Sequence, residues 1–87
     1  MGRIETRIAD LGQSLPAPLV PPGNFQLVKV HGGLGYVAGH GPFDGSTPLV
    51  QGLVGRDLTV EEAYDAARLT ALSILASLKR ELGSSIA

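Results

Sequence analysis

The chain begins with a helical pattern of hydrophobic residues that gives way to a proline-rich segment. Ile4, Ile8 and Leu11 recur at three- to four-residue steps before a glycine, which predicts a short amphipathic helix within residues 1–12. Residues 13–24 then contain four prolines, each of which removes a backbone hydrogen-bond donor. Because large apolar side chains flank these prolines, we interpret the segment as an extended connector across the domain rather than as a ligand for a proline-recognition module.

The middle of the chain changes to the period of a β-strand. Residues 25–31 (FQLVKVH) alternate between two sets of side chains and are rich in β-branched residues. The glycine-rich run GGLG and a second apolar segment follow, which predicts an antiparallel β-hairpin over residues 25–39. Residues 40–58 contain several glycines and few periodic apolar positions, so they are predicted to be mostly loop, in which Leu49 to Gln51 could form a short strand.

Residues 59–83 carry the strongest helical signal in the chain. Thr59 with Glu62 three residues later is the pattern of a capping box, and Gly83 stands where the helix would end. Two strands do not form an independently stable sheet, so further strands are expected to complete the one that this helix covers. We predict that the helix packs through a face on which apolar residues recur, namely Tyr64, Ala67, Ala71, Ile74, Leu75, Leu78 and Leu82.

Composition narrows the class of protein. The 87 residues are 44% hydrophobic and 17% charged, with a net charge of −1 and no cysteine, which predicts one small soluble domain and agrees with a cytoplasmic location. No apolar run is long enough to span a bilayer, and no signal-peptide pattern is visible, so a membrane partner is not expected. Seven basic against eight acidic residues form no basic stripe, which argues against nucleic acid as a partner.

His40 is the most distinctive candidate for chemistry, since it follows a predicted strand and lies between Gly39 and Gly41. The glycines would let backbone or ligand come close to it. Two readings stay open: the ring faces a binding pocket, or it hydrogen-bonds to a neighbouring carbonyl at the end of the strand. The second reading is favoured, because the sequence identifies no partner base or ligand set. His31, beside the turn glycines, is expected to be exposed.

No spacing in the sequence indicates a metal or cofactor site. The two histidines are nine residues apart on different predicted strands, and Asp44 is the only carboxylate close to them in sequence. The glycines of HGGLG lead into a strand rather than a helix, so they do not form a dinucleotide-binding loop. We therefore expect no metal and no organic cofactor.

Two segments in order, GYVAGHGPFDG and VGRDLTVEEAYDAARLTALSILASLKRELG, resemble the front half of the Rid superfamily. These are the YjgF-like reactive-intermediate deaminases, also catalogued as L-PSP endoribonucleases. In that family a strand ends in a small residue, a glycine and a polar residue before a proline-containing loop, as Ala38, Gly39, His40 and Pro42 do here. The N-terminal helix and the proline connector are similar to one branch of the superfamily.

The resemblance covers residues 4–83 and implies an α+β, chorismate-mutase-like (YjgF-like) fold. The chain would be its N-terminal part, with a short helix, a β-hairpin and a long helix packed on the sheet. The family's carboxylate-binding arginine and its late glutamate follow the long helix, and this sequence ends at Ala87. We therefore expect residues 1–87 to be a single, C-terminally incomplete domain, and no catalytic residue is assigned.

The resemblance also implies an activity and partners. Characterised members hydrolyse reactive enamine and imine metabolites to keto acids and ammonia, in clefts between the subunits of a homotrimer and without a cofactor. By this resemblance the partners are further copies of the chain and a small carboxylate or imine metabolite. The candidate pocket-lining residues are Gly39, His40, Gly41 and Phe25, and Phe25 stands close to where the family has a tyrosine.

Three functions stay open at the level of sequence. The chain could belong to an imine or enamine hydrolase, provided that the domain is completed. It could instead be a catalytically silent module that binds a small metabolite or another protein. Endoribonuclease activity, which the older family name suggests, is disfavoured by the near-neutral charge and the scarcity of aromatic residues.

Overall fold

The fold combines two helices with two short antiparallel hairpins. A computed structural model of the chain describes residues 2–21, 23 and 26–83. The α+β class and the predicted order of short helix, hairpin and long helix are confirmed. The elements are α1 (Arg3–Asp10), β1 (Val28–His31), β2 (Leu34–Val37), β3 (Phe43–Asp44), β4 (Thr47–Pro48) and α2 (Val60–Leu82). Over the residues described, neither helix has the length and apolar character that crossing a bilayer requires.

The first hairpin is held in register by its turn. Strands β1 and β2 pair antiparallel with Val28 opposite Val37. Gly32 and Gly33 form the turn with φ values of 59° and 80°, and a type I′ turn requires this left-handed conformation at both central residues. The hairpin prediction is confirmed, although the strands are shorter than the predicted range 25–39.

A second, smaller hairpin lies in the segment that was predicted to be mostly loop. Strands β3 and β4 pair antiparallel around a turn that contains Gly45, whose φ is 61°. The short strand considered at Leu49 to Gln51 is absent from the structure, since β4 ends at Pro48. The Leu49 N–H instead donates to the Pro42 carbonyl at 2.8 Å, which closes the base of the small hairpin.

The proline-rich connector docks on the second hairpin. The Ala17 N–H donates to Asp44 Oδ1 at 2.7 Å, and the Gly45 N–H donates to the Ala17 carbonyl at 3.0 Å. The carbonyl of Leu19 accepts a hydrogen bond from Arg80 Nη1 of α2 at 3.0 Å. Over its described residues, the connector therefore lies across the body of the chain, as the sequence predicted.

The hydrophobic core is small and is built by four segments that are separate in sequence. Leu19 of the connector, Leu27 and Val28 are buried together. Phe43 of β3 and Leu78 of α2 pack against them. Leu27 and Val28 are neighbours in the chain yet each is only 3% exposed, so the strict in–out alternation predicted for this strand is broken at its first residues.

Helix α2 has the predicted ends but buries a different face. Of the predicted apolar face, Tyr64, Ala67, Ala71 and Leu82 are exposed, and Ile74, Leu75 and Leu78 are only half-buried. The buried residues of α2 are instead Leu72, Ser73, Ala76 and Ser77. The prediction was wrong because it ranked positions by hydrophobicity alone. Small side chains let other segments approach the helix axis closely, and a serine hydroxyl can be buried where a partner accepts or donates a hydrogen bond.

Helix α1 and the residues just after it are joined to α2 by charged side chains of α2. Lys79 of α2 places its Nζ 3.4 Å from Oε2 of Glu5, whose side chain is 5% exposed. Arg68 of α2 donates to the amide oxygen of Gln13, just beyond the end of α1. Long charged side chains thus join the two helices, because their aliphatic stems can cover apolar surface while their ends make polar contacts.

The predicted capping box closes the N-terminus of α2. Thr59 Oγ1 accepts a hydrogen bond from the Glu62 N–H at 3.1 Å, and Glu62 Oε1 accepts one from the Thr59 N–H at 2.9 Å. The hydrogen bond from the Thr59 backbone, with a smaller effect of the Thr59 side chain, holds the pKa of the Glu62 carboxyl below its ordinary value of 4.5. At the other end, Gly83 takes the left-handed conformation with φ 70°.

These contacts predict how the cap responds to mutation and to pH. We expect Thr59→Ala to lower the free energy of unfolding by about 1 kcal/mol, measured by urea denaturation with circular dichroism.

The Glu62 carboxylate makes the stability of the chain depend on pH. Its folded pKa is depressed, so the stability that it contributes is present above the unfolded value of 4.5 and is lost as the pH falls through the folded pKa. Glu62→Gln should therefore reduce the loss of stability that occurs as the pH falls below 4.5. Glu61→Gln, a matched change in the same turn, should not reduce this loss of stability. An equal dependence of stability on pH in the two variants would contradict the role given to Glu62.

Candidate functional site

His40 ties the end of the first hairpin to helix α2. Its Nδ1 lies 2.8 Å from the Ala38 carbonyl oxygen, and its Nε2 lies 2.8 Å from Ser77 Oγ. A carbonyl oxygen only accepts, so Nδ1 carries a proton and donates it; with the second nitrogen unprotonated, Nε2 accepts the Ser77 hydroxyl hydrogen. The structure therefore agrees with the reading in which a strand-end histidine bonds to a neighbouring carbonyl. We call these three residues the His40 clamp.

The His40 clamp has the atoms of a nucleophilic dyad but not its accessibility. A serine hydroxyl that donates to a histidine, whose other nitrogen is held by an acceptor, is the arrangement that activates serine nucleophiles. Ser77, however, is only 1% exposed and lies on a buried face of α2. A nucleophile has to reach a substrate carbon, so this burial favours a structural role for the pair. Both ring nitrogens are engaged, which also leaves His40 without a free position for general acid–base work.

The loop that the clamp holds carries backbone N–H groups that have no partner in the part of the chain that the structure describes. The N–H groups of Gly39, His40 and Gly41 donate to none of the residues that the structure describes. Hydrogen bonds hold the backbone on both sides. The Ala38 N–H donates to the Leu27 carbonyl at 2.8 Å, and the Phe43 N–H donates to the Gly41 carbonyl at 3.0 Å. Backbone N–H groups can donate charge-assisted hydrogen bonds to the oxygens of a bound carboxylate or phosphate.

The two glycines of this loop differ in their surroundings. A Cβ atom at Gly41 would lie 3.2 Å from Cε1 of the Phe43 ring, so a larger residue there would press on an aromatic side chain of the core. A Cβ at Gly39 would meet nothing within 4 Å. Gly41 thus has a steric reason to be glycine, whereas Gly39 borders open space that a ligand could occupy.

Of the four predicted pocket-lining residues, three are contiguous in this loop. Gly39 is exposed, and His40 and Gly41 are half-buried. Phe25 lies outside the described residues. Whether these positions line a pocket stays a prediction. Sequence reasoning did not single out Ser77. The spacing of Ser73 and Ser77, one turn apart within an apolar helix, was the signal that could have indicated a buried polar contact.

Other chemistry near the loop is limited in the part of the chain that the structure describes. Residues 2–21, 23 and 26–83 contain no group of three or more His, Cys, Asp or Glu residues placed to hold a metal ion. Asp57, like Glu62, has a pKa below its ordinary value. The largest cause is the hydrogen bond from the Arg56 side chain to its carboxylate, and the second is the hydrogen bond from the Leu53 N–H. Asp57 lies just before α2 and Glu62 lies in its first turn, so neither carboxylate is part of the His40 loop.

The chain is similar to known proteins both in sequence and in structure. No family model matches the chain. It is 32% identical over 82 residues to protein TCP17 of Trypanosoma cruzi. The alignment covers 94% of this chain and 51% of that protein. A crystal structure of a “putative endoribonuclease” from Shewanella oneidensis MR-1 superposes with a TM-score of 0.82 and 34% identity, over 92% of this chain and 53% of that one.

A second solved structure agrees with the first. Protein Atu1372 of unknown function from Agrobacterium tumefaciens superposes with a TM-score of 0.77 and 38% identity, over 95% of this chain and 48% of that one. The chain therefore spans about half the length of the relatives that it matches, both in sequence and in structure.

Proposed function

We propose, on the premise that the chain is about half of a YjgF-like domain of the Rid superfamily, that it forms one wall of a cleft for small carboxylate- or imine-bearing metabolites. In the assembled protein, a cytoplasmic homotrimer by this proposal, the cleft lies between subunits. There it hydrolyses reactive enamine and imine intermediates to keto acids and ammonia. The observation that carries the proposal is the loop at Gly39 to Gly41, which the His40 clamp holds and whose N–H groups donate to none of the described residues.

In this proposal the loop binds the substrate carboxylate. Hydrogen bonds to a charged acceptor are about twice as strong as those between neutral groups. Because His40 bonds both to its own strand end and to α2, the loop needs little rearrangement when the carboxylate arrives. A carboxylate held there presents the neighbouring imine carbon to water at a constant distance.

The chemical step needs no group from His40 itself. Water adds to the carbon of the C=N bond, a proton moves to the nitrogen, and the C–N bond then breaks to release ammonia and leave a keto group. His40 acts as a positioning residue, because the carbonyl of Ala38 and the hydroxyl of Ser77 occupy its ring nitrogens. The proposal assigns the proton transfers to no residue of this chain.

Two substitutions of one glycine test the loop. Gly39→Pro removes one N–H donor, and we expect it to weaken binding of pyruvate, the probe for the carboxylate, by about tenfold or more. Gly39→Ala keeps the N–H and adds a Cβ into open space, so it should bind pyruvate as the wild type does. Binding is measured by NMR titration of the 87-residue chain. Equal affinities of the two variants would contradict the proposed role of the loop.

A catalytically silent binding module is the second candidate, favoured by the engagement of both His40 nitrogens. Ammonia release from 2-aminoacrylate generated in situ separates the two. Acceleration over the protein-free reaction, lost in Gly39→Pro, supports the hydrolase. Pyruvate binding without acceleration supports the silent module. Cleavage of RNA at low salt would instead point to the activity in the name of the Shewanella protein.

A further inference from the structure

Helix α2 carries an apolar stripe on the side opposite its buried face. The members recur at three- and four-residue steps, so they lie along one side of the helix. At about 100° per residue, this side is opposite the face around Ser73 and Ala76, which are buried. We call it the α2 stripe, and it consists of Val60, Tyr64, Ala67, Ala71, Leu75 and Leu82.

Most of the α2 stripe is exposed. Val60 is 73% exposed, Tyr64 78% and Leu82 47%. The members between these ends are exposed or half-buried, namely Ala67, Ala71 and Leu75. Single exposed apolar side chains are ordinary on soluble proteins, whereas a row of them along one side of a helix marks an interaction surface. The sequence pattern singled out most of these positions as a packing face, and the described part of one chain leaves most of them exposed.

The positions of the α2 stripe are symmetric about Ala71. Val60 and Leu82 lie eleven residues before and after it, and Ala67 and Leu75 lie four residues before and after it. A surface of this kind is complementary to itself when a second copy of the helix runs in the opposite direction, as a two-fold axis requires. The small side chains of Ala67 and Ala71 let the two helices come close near that axis.

The two ends of α2 carry opposite charges. Glu61 and Glu62 stand in its first turn, and Lys79 and Arg80 stand in its last turn. An antiparallel pair therefore places the acidic end of one helix beside the basic end of the other, and it also opposes the two helix dipoles. A parallel pair would bring like charges together at both ends. Charge thus favours the same direction as the symmetry of the stripe.

We propose that the α2 stripe is a docking surface for a second copy of this chain, in a two-fold symmetric pair of antiparallel α2 helices. Ala71 lies at the two-fold axis, and Val60 of one copy packs beside Leu82 of the other. One helix from each copy forms the contact, so it belongs to the small interfaces below about 1,200 Å², and association depends on concentration. The stripe shares no residue with the His40 clamp, so this inference does not rest on the proposed function.

The mass of the 87-residue chain in solution tests the pair. Sedimentation equilibrium is measured over a series of concentrations for the wild type, Ala71→Glu and Ala9→Glu. Ala71→Glu keeps a good helix former but sets two carboxylates face to face at the axis, so it should halve the mass wherever the wild type associates. Ala9→Glu makes the same change at an exposed position of α1 and should leave the mass unchanged. Equal masses of the wild type and Ala71→Glu at every concentration would overturn the proposal.

Engineered cysteines test the direction of the pair. The chain has no cysteine, so each variant carries a single thiol. On mild oxidation Ala71→Cys should form a disulfide-linked dimer, because the two-fold axis brings its Cα atoms within the roughly 4.4–6.8 Å that a disulfide needs. Val60→Cys should not link to itself but should link to Leu82→Cys when the two variants are mixed. Either a Val60→Cys dimer or the absence of an Ala71→Cys dimer would overturn the proposal.

Discussion

Leu27→Ala is expected to lower the free energy of unfolding by about 2–5 kcal/mol. Leu27 is 3% exposed and packs with Leu19 and Val28, against which Phe43 and Leu78 are placed. Truncation removes buried methyl groups and leaves a cavity. Since the core consists of few side chains from four separate segments, little surrounding structure can collapse into that cavity. Domains are stable by only about 5–15 kcal/mol, so this one change could unfold a large fraction of the chain.

The measurement is urea denaturation followed by circular dichroism at constant protein concentration. Leu34→Ala is the matched control, because it is the same substitution in the same hairpin at a position that is 60% exposed. We expect the control to change stability by no more than about 0.5 kcal/mol. If both variants lost the same stability, the buried cluster would not be the centre of the fold.

Ser77→Ala is expected to destabilise the chain by about 1–3 kcal/mol, because it removes the partner of a part-buried histidine nitrogen. Ser73→Ala provides a close control. Ser73 lies one turn earlier on α2, is fully buried, and its hydroxyl has no hydrogen-bond partner among the residues described. Removing that hydroxyl should be neutral or stabilising, since a buried polar group without a partner costs free energy. Equal losses in the two serine variants would show that the bond to His40 contributes nothing.

A double-mutant cycle isolates the bond itself. His40→Ala, Ser77→Ala and the double variant are compared by urea denaturation, and we expect a coupling energy of about 0.5–3 kcal/mol. His31→Ala is the control for the loss of an imidazole, because His31 is exposed on β1. If His40 is a positioning residue, His40→Ala should also weaken pyruvate binding at the loop while His31→Ala does not. A coupling energy near zero would contradict the clamp.

Local features of the fold could be predicted because their causes lie within a few residues. The capping box of Thr59 and Glu62, the left-handed glycine at the end of α2 and the two-glycine turn of the first hairpin all follow from backbone chemistry at adjacent positions. The resemblance to the front half of YjgF-like domains has the same basis, since it rests on the order of such local segments. The matched relatives agree with that resemblance over about half of their length.

The buried face of α2 could not be predicted in the same way. A hydrophobicity pattern ranks Tyr64 and Ala71 above Ser73 and Ser77, yet the structure exposes the first pair and buries the second. Which face is buried depends on what the connector, the hairpin and α1 place beside the helix. Those neighbours favour small side chains at close approach and long charged ones where α1 docks.

The sequence therefore accounts for where helices and turns begin and end, and the tertiary structure accounts for what the polar side chains do. His40 stood out in the sequence, but its role follows from Ser77, which is 37 residues away. Glu5 and Lys79 likewise had no reason to be considered together until two helices met. Turns and caps are decided by neighbouring backbone atoms, whereas a buried hydrogen bond or ion pair requires two groups that only the folded chain brings within reach.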